Sequence, residues 1–224
     1  MTAKTLPETA EPPAHERVYR ALRARILSGE MAPGDQVTLR GLAEELGVSM
    51  TPAREAMRRL VAERALEATA SGRVAVPVPG LRRLEELFRA RELLEPELAV
   101  RALPNVKIST ISALRAIDAA IDGYLAEGDA VGYVQANNAF HTTLYSLADA
   151  PALMALVESV WLQTAPIMRR IYGRLGTAAL TDYHEAALAA LAERDAAALA
   201  AAIRADVAQG AALLRQVALD ETNL

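Results

Sequence analysis

The chain has 224 residues, of which 52% are hydrophobic and 23% are charged, so it can form one or two domains with substantial cores. It contains no cysteine, which excludes disulfides and thiolate metal sites. The net charge of −4 is uneven, because residues 1–76 hold 11 Lys/Arg against 10 Asp/Glu and the remainder holds 13 against 18. This excludes a nucleic-acid role for the whole surface but leaves room for a local basic element.

The first half of the N-terminal part predicts an arm and two helices. Residues 1–13, MTAKTLPETAEPP, predict a flexible arm with no signal peptide. Apolar residues at helical spacing from Val18 to Leu27 predict a helix, and Gly29 suits its C-terminal end. A second, short helix is predicted over residues 38–46 and ends at a glycine.

A third helix and a hairpin complete this part. The helix is predicted over residues 51–64 after a tight turn, with Thr51 as its cap and Ser49 as the alternative cap. Residues that favour β-structure flank Ser71-Gly72 and predict a small hairpin, which ends at Pro77.

This order of elements predicts a winged helix-turn-helix domain over residues 14–78, with its third helix in the major groove of DNA. Free N–H groups at the start of that helix can bind phosphate, and Arg54 can donate two hydrogen bonds to guanine. The alternative is an ordinary solvated amphipathic helix. The candidate DNA-contacting residues from this pattern are Ser49, Thr51, Arg54, Arg58, Gly72 and Arg73.

The remainder of the chain, residues 79–224, predicts about six helices and no strand. Proline, glycine and Asp/Asn-containing breaks separate the segments. Residues 130–148 carry several amide and hydroxyl side chains, so we expect no membrane span there. The predicted helices lie near residues 80–102, 108–127, 129–148, 151–174, 177–193 and 195–219.

Four of these helices carry a polar group on an otherwise apolar stripe. Burying such a group without a partner costs about 2–7 kcal/mol, so we expect these groups to face each other in one central cavity. Two imidazoles, a carboxylate and an amide oxygen suit a divalent metal, zinc or nickel above all. The alternative for each histidine is a hydrogen-bonded core residue. The polar residues on the stripes are Arg91, Asn137, His141, His184 and Asp206.

The run LRGLAEELGVSMTPAREAMRRLVAERALEATASGRVAV resembles the DNA-binding domain of the GntR family of bacterial transcription regulators. The resemblance covers residues 15–78, and its most specific part is LA..LGVS.TP.REA...L followed by a wing. It implies DNA contacts by Arg40, Thr51 and Arg54. The family often carries an arginine before the Thr-Pro pair, where this chain has Met50.

The motifs RELLEPELAVRAL, NNAFHTTLYSLADAPAL and YHEAALAALAERDAAALAAAIRADV resemble the FCD ligand-binding domain of FadR-type GntR regulators. The resemblance implies an all-helical bundle over residues 79–224 that binds an effector and a metal. The family pattern of Asp, His, His and His is replaced here by Asn137, His141, His184 and Asp206, so one carboxylate is lost and one is gained. Arg91 matches the family's arginine that pairs with an effector carboxylate.

These features predict a regulator whose affinity for double-stranded operator DNA is controlled by a small organic acid. The resemblance also implies a homodimer, and we expect a cytoplasmic protein with no membrane attachment and no enzymatic activity. The alternative is a metal-dependent hydrolase in which the His/Asp cluster activates water, although no general base stands out. A purely structural helical adaptor is a third class, against which the winged-helix pattern argues.

Overall fold

The N-terminal elements of the computed structural model form a winged helix-turn-helix, as the sequence predicts. The structure describes residues 11–69, 73–175 and 181–222, so most of the predicted arm lies outside it. The elements of this part are α1 (Ala14–Leu27), β1 (Gln36–Val37), α2 (Leu39–Glu45), α3 (Met50–Ala62), β2 (Glu67–Ala68) and β3 (Val74–Ala75).

The helix-turn-helix pair begins and ends at local capping signals. The Thr38 side chain accepts a hydrogen bond from the Gly41 amide at 3.1 Å, which caps the start of α2. The prediction that Thr51 caps α3 is wrong, because the helix begins at Met50 and Ser49 occupies the extended cap position. Ser49 makes no side-chain capping hydrogen bond, and Thr51 lies in the first turn of the helix.

The predicted hairpin is confirmed as the wing. Strands β2 and β3 pair antiparallel, with Glu67 opposite Ala75. Strand β1 pairs with the other edge of β3, which gives a three-stranded sheet in the order β1-β3-β2. The tip of the hairpin, including the predicted contact residue Gly72, lies outside the described residues.

Helix α1 holds the third helix in place. Their facing apolar residues are buried, and polar contacts reinforce this packing at one end. The Tyr19 hydroxyl donates to the Glu63 carboxylate at 2.9 Å, and the Arg59 guanidinium lies 3.6 Å from the centre of the Tyr19 ring. Arg59 also pairs with Glu16 on α1 at 3.1 Å. A movement of α1 therefore carries α3 with it.

The second part is a helical bundle, and the predicted number of six helices is confirmed among the described residues. Short 3-10 turns, Leu103–Asn105 and Ser146–Ala148, follow two of the helices. The helices are α4 (Leu81–Ala102), α5 (Ile108–Glu127), α6 (Ala130–Tyr145), α7 (Pro151–Leu175), α8 (Tyr183–Glu193) and α9 (Ala196–Thr222).

The start of one of the last helices differs from expectation. Helix α8 begins at Tyr183 and not at residue 177, because the Asp182 side chain caps it by accepting from the Glu185 amide at 2.9 Å.

By length and composition, residues Ala196–Val217 of α9 could cross a membrane. In the structure this segment packs along α4, α7 and α8, as a helix of a bundle does.

Helix α4 runs through the centre of the bundle, in contact with α6, α7 and α9. Leu98 on its inner face is fully buried, whereas Leu93 one turn earlier is 59% exposed. The two leucines therefore provide a matched pair for measuring what the bundle core contributes to stability.

We expect Leu98→Ala to lower the free energy of unfolding by about 2–5 kcal/mol, because it removes buried methyl groups and leaves a cavity. Leu93→Ala on the same helix should change it by no more than about 0.5 kcal/mol. Urea denaturation followed by circular dichroism measures both. Equal losses for the two variants would contradict the placement of α4.

Candidate functional site

A polar cavity lies inside the helical bundle. Its walls come mainly from α4, α6, α7 and α9, and its volume of about 40 Å³ has room for roughly three waters or an ion with a small ligand. The cavity brings together Arg91, Asn137, His141 and Asp206, four of the five residues predicted to share one cavity. His184 does not line it but lies directly behind it, against Asp206.

The predicted ligand atoms converge on one point. His141 Nε2 lies 3.2 Å from one oxygen of Asp206, and His184 Nε2 lies 4.0 Å from the other. One ligand atom from each of these three residues lies within 4.8 Å of the others. The buried Oδ1 atom of Asn137, one turn before His141 on α6, has no hydrogen-bond partner among the described residues.

The proton on His141 is held on the nitrogen that faces away from this point. His141 Nδ1 lies 3.0 Å from the Tyr145 hydroxyl, and that hydroxyl donates its one proton to Glu95 at 3.1 Å. Tyr145 can therefore only accept from His141, which places the imidazole proton on Nδ1. The lone pair of Nε2 is left facing Asp206.

His184 has the same arrangement with a different partner. Its Nδ1 atom lies 3.3 Å from Asp118 Oδ1, so the carboxylate accepts the Nδ1 proton and Nε2 again carries a lone pair. Burial by itself lowers the pKa of His184, but the hydrogen bond to Asp118 and the charge of Asp206 outweigh burial and raise it.

Asp206 is ionised at neutral pH. Burial raises the pKa of its carboxyl group, but a hydrogen bond from His141 and the charges of His141 and His184, all of which require protonated imidazoles, together with the charge of Arg91, lower the pKa to about 2. His141 and Asp206 are close enough for a hydrogen bond, yet His141 Nε2 has no hydrogen-bond partner of acceptable direction among the described residues. When His141 is neutral, its Nε2 atom and the Asp206 carboxylate are two acceptors that face each other.

Three buried acceptor atoms without a donor, beside the Asp206 carboxylate, fit a divalent cation. Among the described residues, the buried side-chain atoms without a hydrogen-bond partner are Asn137 Oδ1, His141 Nε2 and His184 Nε2, and all three belong to the predicted ligand set. Leaving them unpaired is costly, whereas a cation satisfies all of them together with the Asp206 carboxylate. The donor set of two nitrogens and two oxygens suits zinc or nickel.

A second group of possible ligands, formed by Asp118, Asp182 and His184, lies on the outer side of His184. In this group the His184 Nδ1 atom already faces Asp118, and Asp182 caps α8 through the Glu185 amide. Its atoms thus have partners, unlike those of the first group. The first group is the better candidate for a metal centre.

Arg91 is buried beside the cluster and paired with Glu95, whose carboxylate is completely buried. Arg91 Nε donates to Glu95 Oε1 at 2.6 Å, and Trp161 Nε1 donates to the same oxygen at 2.8 Å. Arg91 also lines the cavity, and no described acceptor is hydrogen-bonded to its terminal amino groups. These amino groups are the part of the side chain that can meet a ligand carboxylate.

The residues predicted to contact DNA lie on the surface of the winged helix. Ser49, Thr51, Arg54 and Arg58 are exposed at the start and along the outer face of α3. Arg54 and Arg58 have no described ion pair or hydrogen bond, whereas Arg59 on the same helix is paired with Glu16 on α1 and with Glu63.

The two other predicted arginines have weak intramolecular partners. Arg40 on α2 forms an exposed i,i+4 ion pair with Glu44 at 2.8 Å. Such a pair stabilises the protein by at most about 1 kcal/mol, so Arg40 can leave Glu44 to bind a DNA phosphate. Arg73, just before β3, donates to the Gln36 side chain at 2.9 Å. Both guanidinium groups are exposed.

Several residues around the cavity were not predicted from the sequence, above all Glu95, Tyr145 and Asp118. Glu95 follows Arg91 by four residues and Tyr145 follows His141 by four, so helical spacing alone could have indicated both pairs. Asp118 lies on the buried stripe of α5 with Leu114 and Ile121, which is the signal that identified the other polar residues.

Comparison with known proteins agrees with this architecture. Residues 14–76 match the bacterial regulatory proteins of the gntR family, and residues 86–209 match the FCD domain. The HTH-type transcriptional regulator McbR of Escherichia coli (strain K12) is 28% identical over 169 residues, which cover 75% of this chain and 76% of McbR. An uncharacterized HTH-type regulator from the TAR-I ttuE-ttuC' intergenic region of Agrobacterium vitis is 29% identical over 133 residues, 58% of this chain and 78% of its own length.

Solved structures give the same result. The structure of E. coli McbR/YncC superposes with a TM-score of 0.84 at 27% identity, over 92% of this chain and 98% of that one. A putative GntR regulator from Rhodococcus sp. RHA1, at 24% identity and a TM-score of 0.73, shares the fold over 90% of this chain and 97% of its own. The family favours a regulator over the alternative of a hydrolase. The chain belongs to the GntR family of bacterial transcription regulators and carries an FCD effector-binding domain behind its winged helix-turn-helix.

Proposed function

We propose that this regulator binds a small carboxylate in its FCD cavity, assisted by a divalent metal, and that the bound ligand changes its affinity for operator DNA. The observation that carries the proposal is the set of buried acceptor atoms of Asn137, His141 and His184 around the Asp206 carboxylate. Zinc or nickel would be held by these four residues. When bound, the metal supplies a Lewis-acidic centre for a ligand oxygen.

The charge of the site supports an anionic ligand. A divalent ion held by two neutral imidazoles, one amide and one carboxylate keeps one net positive charge, which favours an anion at any remaining coordination position. Arg91 lines the same cavity and can orient one carboxylate group. The small cavity favours a compact acid over a long-chain one.

The DNA partner in this proposal is double-stranded operator DNA, read by α3 in the major groove. Arg40, Ser49, Thr51, Arg54 and Arg58 would contact phosphates and bases, and the wing with Gly72 and Arg73 would approach the minor groove. A homodimer would match a two-fold operator. The protein would act in the cytoplasm, where its DNA is.

We expect a carboxylate that binds the cavity to shift operator affinity about 5–150-fold, the usual range of coupling between two sites. A thermal-shift panel of small mono- and dicarboxylic acids, with and without zinc or nickel, selects the ligand, and a gel shift measures its effect. Arg91→Lys keeps the charge but loses the planar fork, so the ligand should bind more weakly to it. If no acid stabilises the protein under any metal condition, the effector proposal fails.

The metal proposal predicts close to one equivalent of metal per chain in protein purified without chelator or a polyhistidine tag. His141→Ala should lose it, because an imidazole ligand is removed. Asn137→Asp should bind more tightly, because a carboxylate is a stronger ligand than an amide oxygen. Elemental analysis and zinc titration measure both. Metal far below one equivalent in wild type, unchanged after zinc or nickel is added, would refute the site.

Tyr145→Phe tests the orientation of His141. Without the hydroxyl that accepts its Nδ1 proton, His141 loses its fixed tautomer, and we expect zinc affinity to fall about 10–100-fold. Tyr124→Phe, on α5 and outside the hydrogen-bond network of the site, is the control and should bind zinc as wild type does. Equal zinc affinity of the two variants would remove Tyr145 from the site.

Arg54→Ala should weaken operator binding by about 1–3 kcal/mol and relax sequence preference, if Arg54 contacts a base. Its side chain is exposed and has no partner among the described residues, so the free energy of unfolding should hardly change. Arg204→Ala, an exposed arginine on α9, is the matched control. Fluorescence anisotropy at fixed salt measures affinity, and an Arg54→Ala protein that binds as tightly as the control would contradict the proposed contact.

A further inference from the structure

One wall of the effector cavity comes from the DNA-binding domain. Leu27, the last residue of α1, lines the cavity together with Arg91, His141 and Trp161 of the FCD domain. Leu27 is buried, so its side chain is covered by its neighbours in both domains. A ligand in the cavity therefore lies against the first helix of the winged helix-turn-helix.

The chain leaves α1 in close contact with the FCD domain. Gly29 has a φ of +68°, and a Cβ atom at this position would lie 3.1 Å from Arg169 Cβ and 3.4 Å from Val134 Cγ1. The Arg169 atom belongs to the base of its side chain and cannot turn aside. A glycine at this position thus lets the backbone after α1 approach α6 and α7 more closely than a side chain would permit.

Two polar contacts hold this approach. Arg169 Nη1 on α7 donates to the carbonyl oxygens of Gly29 at 2.8 Å and Glu30 at 2.5 Å. Arg23 on α1 pairs with Glu158 on α7 at 2.8 Å. Arg169 directly follows Met168, which lines the cavity. The arginine that binds the backbone after α1 and the cavity wall therefore belong to the same turn of α7.

We propose that the end of α1 is a structural part of the effector site, in which Leu27 contacts the ligand. The contact between Gly29 and Arg169 holds Leu27 in this position. Because α1 is joined to α3 through Tyr19 and Arg59, a ligand that displaces or tightens Leu27 repositions the recognition helix directly. This proposal rests on the proposed function in that a ligand occupies the cavity. The coupling between ligand binding and DNA binding is reciprocal. DNA that favours one position of α1 therefore changes the affinity for the ligand by the same factor as the ligand changes the affinity for DNA.

The first test needs no ligand and uses the chain's single tryptophan, Trp161, which is buried beside the cavity. Leu27→Ala removes the wall, and the Cβ atom of Gly29→Ala requires α1 and α7 to move apart slightly, so acrylamide quenching of Trp161 should rise measurably in both. Gly47→Ala is the matched control. Gly47 also has positive φ, at +62°, in the DNA-binding domain, but a Cβ atom there has nothing within 4 Å.

In the control Gly47→Ala, acrylamide should quench Trp161 to the same extent as in wild type. Circular dichroism confirms that all variants are folded. Unchanged quenching in both Leu27→Ala and Gly29→Ala would overturn the proposal. If Leu27→Ala does not fold, Gly29→Ala against Gly47→Ala decides the same question.

The second test follows amide hydrogen exchange on adding zinc alone. In wild type and in Gly47→Ala, zinc should slow amide exchange in α8, α9 and α1. In Gly29→Ala, zinc should still slow exchange in α8 and α9 but should no longer slow it in α1. Equal protection of α1 in Gly29→Ala would overturn the coupling. Zinc that slows exchange nowhere would refute the proposed metal site instead, and the quenching result would still decide the role of Leu27.

Discussion

The central constraint on this protein is the group of acceptor atoms buried in the middle of the helical bundle. Ligand atoms of His141, His184 and Asp206 lie within 4.8 Å of one another, and the buried Asn137 Oδ1, His141 Nε2 and His184 Nε2 atoms have no hydrogen-bond partner among the described residues. A purely structural core would replace such atoms with apolar side chains, since leaving them unpaired is costly. Their presence is the observation on which the proposed binding of a cation and an anionic ligand rests.

The surrounding helices maintain this arrangement. Glu95 on α4 and Asp118 on α5 fix the protons of the two imidazoles, one through Tyr145 and the other directly. The same Glu95 carboxylate binds Arg91 and Trp161, so the position of His141, through Tyr145, and that of Arg91 depend on one buried group. Because α1 closes the cavity, these contacts extend to the DNA-binding domain.

Much of the fold could be predicted from the sequence, because glycine and proline breaks separate strongly periodic helices and the α5 bounds agree with the prediction. The starts of α3 and α8 were less accurate, because Ser49 and Thr51 compete as caps of α3 and because the Asp182 cap of α8 was not recognised. Polar residues on apolar stripes predicted correctly that Arg91, Asn137, His141 and Asp206 line one cavity, whereas their role as metal ligands stays a prediction. Glu95 and Asp118 were missed, since a lone acidic residue on a helix is usually solvated, and only the packing of other helices shows that these two are buried.

The most direct test of the central claim is a crystal structure of zinc-loaded protein, with anomalous diffraction recorded above and below the zinc absorption edge. The account predicts one anomalous peak per chain, bonded at about 2.0–2.1 Å to the Nε2 atoms of both His141 and His184 and at about 2.0–2.2 Å to an Asp206 oxygen. Absence of a peak there, with His141 Nε2 donating a well-directed hydrogen bond to Asp206, would contradict it and return the cluster to an ordinary hydrogen-bonded core.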